Sequence, residues 1–166
     1  MNETYVELLV KKKTPAMMAF LKVLTIMLAV CFLLVGFGLM ILPALLIGVV
    51  MAIAAYFIYL NSDLEYEYLY VDKELSVDKI MAKSKRKRVA VFDMTKMEIM
   101  APERSHQLDS YRNRNYKVQD FTSGVVNQPD IRYTFYYDGR EKVMIEPNDE
   151  LIKAIQMVAP RKVFKD

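Results

Sequence analysis

The stretch YLNSDLEYEYLYVDKELSV, residues 59–77, decides the fold because the sequence pattern changes there. The 38 residues from Val23 to Leu60, which end inside this stretch, contain no charged side chain. Within the stretch, tyrosines fall at every second position from Tyr66 to Tyr70. A long uncharged run predicts membrane-spanning helix, whereas alternation with a period of two predicts a half-buried β-strand. The chain therefore divides into a membrane segment and a β-rich part.

The uncharged run is too long for one straight span. A helix of that length would extend roughly 57 Å at 1.5 Å per residue, and the hydrocarbon core is only about 30 Å thick. Gly36, Gly38 and Pro43 are residue types that interrupt or end helices. We therefore predict a transmembrane hairpin over residues 17–60, with helices at about 17–37 and 43–60 and a turn near 36–43. A shallow re-entrant hairpin is the alternative, although exposed turn amides in hydrocarbon count against it.

The basic residues that flank the hairpin set its orientation. Four lysines precede the uncharged run and seven Lys or Arg residues follow it between positions 73 and 88, whereas the connection between the helices has none. The positive-inside rule then places both termini in the cytoplasm. The sequence thus predicts a cell-membrane protein with two spans, a cytoplasmic N-terminal segment over residues 1–16 and a cytoplasmic domain over residues 61–166.

The second helix carries a stripe of small residues, Ala44, Gly48 and Ala52, at a spacing of four. Small residues on one helix face let two helix backbones approach closely. One interpretation is packing against the first helix of the same chain. The other is pairing between copies of the chain in a homo-oligomer.

The part after the hairpin is predicted to contain about seven short antiparallel strands followed by one amphipathic helix. The strands are predicted at residues 64–72, 74–81, 86–93, 96–101, 116–121, 131–138 and 140–146. Asp138-Gly139 is the strongest hairpin signal, because both residue types tolerate the positive φ of a tight turn. The helix is predicted to begin at the cap Asn148 and to stop at Pro160. The polar residues 102–115 are predicted to form a loop, either without helix or with one short helical turn.

This element order resembles the pleckstrin-homology (PH) superfold over about residues 62–160. The segments YVELLVKKKTP (5–15), RKRVAVFDMTKMEIMAPE (86–103) and IEPNDELIKAIQMVAPRKVF (145–164), together with the hairpin, resemble a family of small bacterial membrane proteins of unknown function. The resemblance implies a membrane α-helical hairpin followed by a mainly-β, PH-like domain. It supplies no catalytic or ligand-binding residues, and a superfold by itself argues little about function.

One basic cluster stands out in the β-rich part, in the sequence KSKRKR. Its charged members are Lys83, Lys85, Arg86, Lys87 and Arg88. We predict that they lie at the hairpin between the second and third predicted strands, where they are candidates for contact with anionic lipid headgroups. The alternative is a solvated turn that keeps the hairpin soluble.

Other chemistry finds little support in the sequence. The net charge of +3 is too small to indicate nucleic acid as a partner, and the single cysteine, Cys31, excludes an intrachain disulfide. His106 is the only histidine, so neither a zinc site nor a catalytic constellation is predicted. The carboxylates of Asp63, Glu65 and Glu67 are predicted to form a solvated strand face. We predict no catalytic, metal-binding or cofactor-binding residues and no cofactor.

Two functional hypotheses follow. The first is a non-enzymatic, membrane-anchored interaction or scaffold module, whose PH-like domain binds an unidentified protein or the lipid surface at the inner face of the membrane. The second is a small accessory subunit of a membrane transporter, or of a homo-oligomeric pore, that acts through its helical hairpin.

Overall fold

The structure is a computed structural model that describes residues 5–125 and 131–165. The described residues fall into two compact units. Of the described residues, the helical unit comprises 13–64 and 80–85, and the β unit comprises 5–12, 65–79, 86–125 and 131–165. Each unit is described separately below.

The helical unit contains two long apolar helices, α1 (Ala16–Gly38) and α2 (Leu42–Ser62). Their most apolar windows have mean hydropathies of 2.6 and 2.3, and both helices are long and apolar enough to cross a membrane. Only 11% of each window is buried, which distinguishes them from the core helices of a soluble protein. Apolar side chains exposed all round a helix suit a lipid environment.

The turn between the helices depends on a residue other than the glycines. Met40 adopts a left-handed conformation with φ of 51°, and the Ile41 amide donates to the Gly36 carbonyl at 3.1 Å. This bond is the one that ends helices in a Schellman motif. Pro43 lies in the first turn of α2, where a missing N–H has no cost. Gly36 is therefore a packing residue rather than a helix breaker.

Most buried positions of the two helices hold small residues. They are Thr25, Ala29 and Gly36 on α1, and Gly48, Ala55, Leu60 and Ser62 on α2. A Cβ added at Gly36 would lie 2.7 Å from the Leu45 backbone nitrogen, and one at Gly48 would lie 2.9 Å from Leu33. Since real side chains do not tolerate such distances, the close approach of the two backbones requires glycine at both positions.

The β unit is built from two four-stranded sheets and a C-terminal helix. The first sheet has the order β1 (Val6–Lys11), β2 (Leu64–Val71), β3 (Glu74–Met81), β4 (Lys85–Asp93). The second has the order β5 (Met97–Pro102), β7 (Tyr133–Tyr137), β8 (Glu141–Ile145), β6 (Lys117–Asp120). The chain then forms α4 (Asp149–Val158). The short helix α3 (Asp109–Arg112) lies within the segment predicted as a loop. The predicted order of a helical hairpin, a mainly-β part and a C-terminal helix is thus confirmed.

The first strand was missed by the sequence analysis, which placed it in a separate N-terminal segment. β1 pairs antiparallel with β2, from Val6 opposite Tyr70 to Lys11 opposite Glu65. Leu9 interrupts the alternation of apolar and polar residues in VELLVK, and the following lysines resemble a membrane-flanking basic run. The strand is stabilised by a partner that lies on the other side of the helical hairpin in the sequence.

A second departure concerns strand direction. β6 pairs in parallel with β8, from Lys117 opposite Glu141 to Asp120 opposite Met144. All seven strands were expected to be antiparallel. Parallel neighbouring strands need a long connection between them. Here that connection is long enough, because it contains the whole β7 strand and the segment before it.

The alternating tyrosines of β2 belong to the core, as predicted. Tyr66, Tyr68 and Tyr70 are buried in the main cluster together with α4 side chains such as Leu151. The Tyr68 hydroxyl donates to the Phe121 carbonyl at 2.7 Å, and burial raises its pKa. A tyrosine whose hydroxyl is hydrogen-bonded can be buried in a core with only a small penalty in folding free energy.

We expect Gly36→Ala to destabilise the helix pair by about 1–3 kcal/mol, because the added methyl group forces the two backbones apart. The measurement is an SDS titration of the full chain in mild detergent, followed by pyrene excimer emission from labels at Lys13→Cys and Asn61→Cys in a Cys31→Ala background. Gly38→Ala is the matched control, since nothing lies within 4 Å of its added Cβ. Equal midpoints for the two variants would contradict the packing described here.

Candidate functional site

The basic cluster lies on the β3–β4 hairpin, but most of it is strand rather than turn. The Ser84 amide donates to the Met81 carbonyl at 3.1 Å, and Ala82 and Lys83 have φ of 48° and 52°. These are the features of a type I′ turn, formed here without glycine. Lys83 is the only basic residue in the turn. The other four, Lys85 to Arg88, open β4 of the same hairpin, so that the cluster extends from the turn into the strand.

The tip of this hairpin contacts the end of α2 within the helical unit. The Ala82 amide donates to the Asp63 carbonyl at 2.7 Å, and Lys85 Nζ lies 5.6 Å from the centre of the Tyr56 ring. Lys22 makes the same contact with Tyr59, at 4.5 Å. Tyr56 and Tyr59 are three residues apart and share one helix face. Two lysines and two tyrosines are therefore gathered near the end of α2, a composition typical of a membrane interface.

The two arginines of the cluster are bound to buried carboxylates. Arg86 Nε donates to Asp78 Oδ2 at 2.7 Å, and Arg88 Nε donates to Asp78 Oδ1 at 3.1 Å. Arg86 also forms an ion pair with Glu67. Asp78 is 4% exposed and Glu67 is 5% exposed. Because buried carboxylates are costly without a cation, both arginines hold the sheet together.

Within this network, the charged form of the Glu67 carboxylate is disfavoured by its surroundings. Burial raises its pKa, Arg86 opposes that shift, and the neighbouring carboxylates of Glu7 and Asp78 raise the pKa further. Glu7 in turn accepts a hydrogen bond from the Tyr5 hydroxyl at 2.6 Å. The network therefore joins β1, β2, β3 and β4, and Arg86 is the cation that balances it.

The sequence analysis missed this network, since it predicted a solvated face for Glu67. One signal could have revealed it. Glu67 lies five residues before Asp72, and Asp78 lies five residues after Lys73. A two-residue turn at Asp72-Lys73 places the two carboxylates opposite each other on neighbouring strands, where like charges need a cation.

The lysines of the cluster have a different environment. Within residues 5–125 and 131–165, no acidic side chain forms an ion pair with Lys83, Lys85 or Lys87. Three of the five predicted lipid-contact residues therefore keep an uncompensated charge, and the two arginines do not.

The remaining candidate residues are placed as follows. Gly48 is buried against Leu33 of α1, Ala44 is half-buried and Ala52 is exposed. His106 is fully exposed, with Nδ1 3.5 Å from Asp109 Oδ2. In the part of the chain that the structure describes, no group of three His, Cys, Asp or Glu side chains could hold a metal ion.

We expect Arg86→Gln to lower the melting temperature of the full chain in detergent by more than about 5 °C, because it leaves Glu67 without its cation. Lys87→Gln is the matched control, with the same charge change one residue further along β4, and should shift the melting temperature by less than about 2 °C. The measurement is near-UV circular dichroism of the tyrosines. Equal shifts would show that the arginine has no structural role.

Residues 2–165 match the family described as bacterial PH-like domain (DUF6106). No curated protein and no solved structure matches significantly. The matched residues include β1, both apolar helices, the two sheets and α4, so that one family covers both units. The chain belongs to the bacterial PH-like domain family DUF6106.

Proposed function

We propose that this protein is a membrane-anchored, non-enzymatic interaction module. The two apolar helices span the cell membrane, and the PH-like domain binds partners at its cytoplasmic face. The partners are a protein of unidentified sequence and the anionic headgroups of the bilayer itself.

The pairing of β1 with β2 carries this proposal. β1 ends at Lys11, shortly before α1 begins, and β2 begins at Leu64, directly after α2. Strands that share six residue pairs cannot lie on opposite sides of a bilayer. The chain therefore has to return to the side from which it entered, which two spanning helices accomplish.

The distribution of basic residues supports a cytoplasmic position for both termini. Four lysines precede the first uncharged residue of the apolar run, and seven Lys or Arg residues lie between positions 73 and 88. The turn around Met40 has no charge at all. Under the positive-inside rule, the basic side of the hairpin faces the cytoplasm.

The lysines of the β3–β4 hairpin support contact with anionic headgroups. Lys85 lies over the Tyr56 ring near the end of α2, and Lys83 lies at the adjoining tip. A lysine near a negative membrane surface contributes about 1 kcal/mol of attraction. Arg86 and Arg88 are engaged by Asp78, so the proposal assigns this contact to the two lysines nearest the tip, Lys83 and Lys85.

The helix contacts favour an anchor over a pore or transporter subunit. Gly36 and Gly48, the positions of closest approach, are both used between α1 and α2 of the same chain. Large aliphatic and aromatic side chains dominate the outward faces. Such faces suit contact with lipid. A further helix could not approach them as closely as α1 and α2 approach each other.

The topology is tested by cysteine accessibility in bacterial cells. Single cysteines are placed at Lys13, Met40 and Glu150 in a Cys31→Ala background, and a membrane-impermeant maleimide is applied to spheroplasts and to inverted vesicles. We expect Lys13→Cys and Glu150→Cys to react only in inverted vesicles.

Met40→Cys is the internal control, because it lies at the opposite end of the hairpin and should not share the pattern of the other two. Reaction of Lys13→Cys and Glu150→Cys on opposite sides, or of both from outside, would overturn the proposal.

The lipid contact is tested on the full chain in nanodiscs that contain phosphatidylglycerol and phosphatidylcholine. We expect native mass spectrometry to show selective retention of phosphatidylglycerol, reduced about threefold or more in the double variant Lys83→Gln/Lys85→Gln. The control Lys96→Gln/Lys153→Gln removes the same charge from two exposed lysines elsewhere. Unchanged retention in the first variant, or equal losses in both, would exclude the hairpin as the lipid contact.

A further inference from the structure

The edge of the first sheet at β4 has no strand beside it. In the sheet order β1-β2-β3-β4, β4 pairs only with β3 in the described part of the chain. At the second sheet, the β5 edge is closed by the C-terminal segment, since Met100 donates to the Lys162 carbonyl at 2.7 Å and accepts from Phe164 at 2.9 Å. The β1 edge contacts α4. β4 is thus an open edge of considerable length.

The backbone of β4 shows which amides are available at this edge. The Met94 amide donates to Lys73 beside β3, whereas the Asp93 amide points to the Tyr137 hydroxyl at 3.4 Å. Because successive amides of a strand point in opposite directions, those of Val91 and Val89 point the same way as that of Asp93, away from β3. Alternating burial from Val89 to Met94 agrees with a regular strand there. Free donors and acceptors therefore line the edge.

The side chains of this edge are unusual for an unpaired strand. Val89 and Val91 are 40% and 44% exposed, and Lys87, which is also exposed, precedes them in the strand. Proteins commonly protect open edges with charge or proline. Here charge protects only the start of the strand, and the two valines continue it as an exposed apolar strip.

The charges indicate what would occupy the edge. Lys87 has no acidic partner within the described residues, and Arg86 and Arg88 remain half-exposed beside it. The whole chain has a net charge of +3, so a second copy would be a poorer electrostatic match than an acidic partner. We propose that the β4 edge from Lys87 to Val91 binds an extended acidic segment of a partner protein, which adds to the first sheet as a further strand.

This inference rests on the proposed function, because it names the chemistry of the protein partner. Main-chain hydrogen bonds to Val89 and Val91 would supply binding, and Lys87 would select acidic side chains next to apolar ones that cover the valines. The two lysines nearer the tip, Lys83 and Lys85, are not needed for this role and are left to the lipid surface.

The test uses the full chain in nanodiscs of phosphatidylcholine, which is neutral and does not compete for the lysines. The probe is a fluorescent peptide of alternating glutamate and valine, measured by anisotropy. The control peptides are the same sequence N-methylated at alternate amides, which cannot pair with a strand edge, and a peptide of alternating lysine and valine. We expect saturable binding of the unmodified acidic peptide only.

Two variants address the edge by different means. Val91→Pro removes an amide that points away from β3, and Lys87→Glu reverses the selecting charge without changing the backbone. Each should weaken peptide binding at least about tenfold, whereas the control Lys153→Glu on α4 should not. An unchanged melting temperature establishes that a variant is folded. If Val91→Pro does not fold, peptide binding by Lys87→Glu alone tests the inference.

Several outcomes would overturn the inference. The inference fails if the N-methylated peptide binds as tightly as the unmodified one, or if both variants bind the peptide as tightly as the unchanged protein. It also fails if no binding is detected at peptide concentrations up to about 1 mM. Dimerisation that Val91→Pro abolishes, without peptide binding, would assign the edge to a second copy instead. Cysteine accessibility in the same preparation separates these results from failure of the proposed function, since a correct topology with no peptide binding rejects only the docking site.

Discussion

The pairing of β1 with β2 constrains the whole chain, because the two strands are separated by both apolar helices. A strand pair that forms across such an insertion fixes the two ends of the insertion close together. In the membrane-anchored arrangement that we propose, an apolar segment whose ends are joined in this way would leave and re-enter the same aqueous side. The strand pair would then set the topology of the helix pair through the chain connection alone.

The same constraint explains the small residues inside the helix pair. Two helices joined by a short turn at Met40 pack along their full length, and with no hydrophobic effect in lipid their association relies on close backbone contact. Gly36 and Gly48 permit that contact, and Thr25, Ala29 and Ala55 extend it. These small residues are buried within the helix pair. The outward faces carry mainly large aliphatic and aromatic side chains, which keep the backbone of a further helix at a greater distance.

Hydropathy and period were sufficient to predict the helix pair, the seven later strands and α4, because each depends on local residue pattern. β1 was not predictable in this way, since VELLVK alternates poorly and its partner lies beyond the hairpin in sequence. The direction of β6 depends on where its connection crosses the sheet, which no local pattern encodes. At the site, the basic cluster could be found in the sequence. That its arginines bind carboxylates while its lysines do not could not be found there, because the burial of Glu67 and Asp78 depends on the assembled sheet.

The division of that cluster has a consequence for how its function is studied. Five neighbouring charges look equivalent in sequence, yet the strand directs Arg86 and Arg88 toward buried carboxylates while Lys83, Lys85 and Lys87 keep free charges. Neutralising all five together would remove the cations of Asp78 and Glu67 and damage the first sheet, so a loss of binding would have no single cause. Variants of the two arginines therefore test what holds the first sheet together, and variants of the three lysines test the proposed binding roles without removing the cations of Asp78 and Glu67.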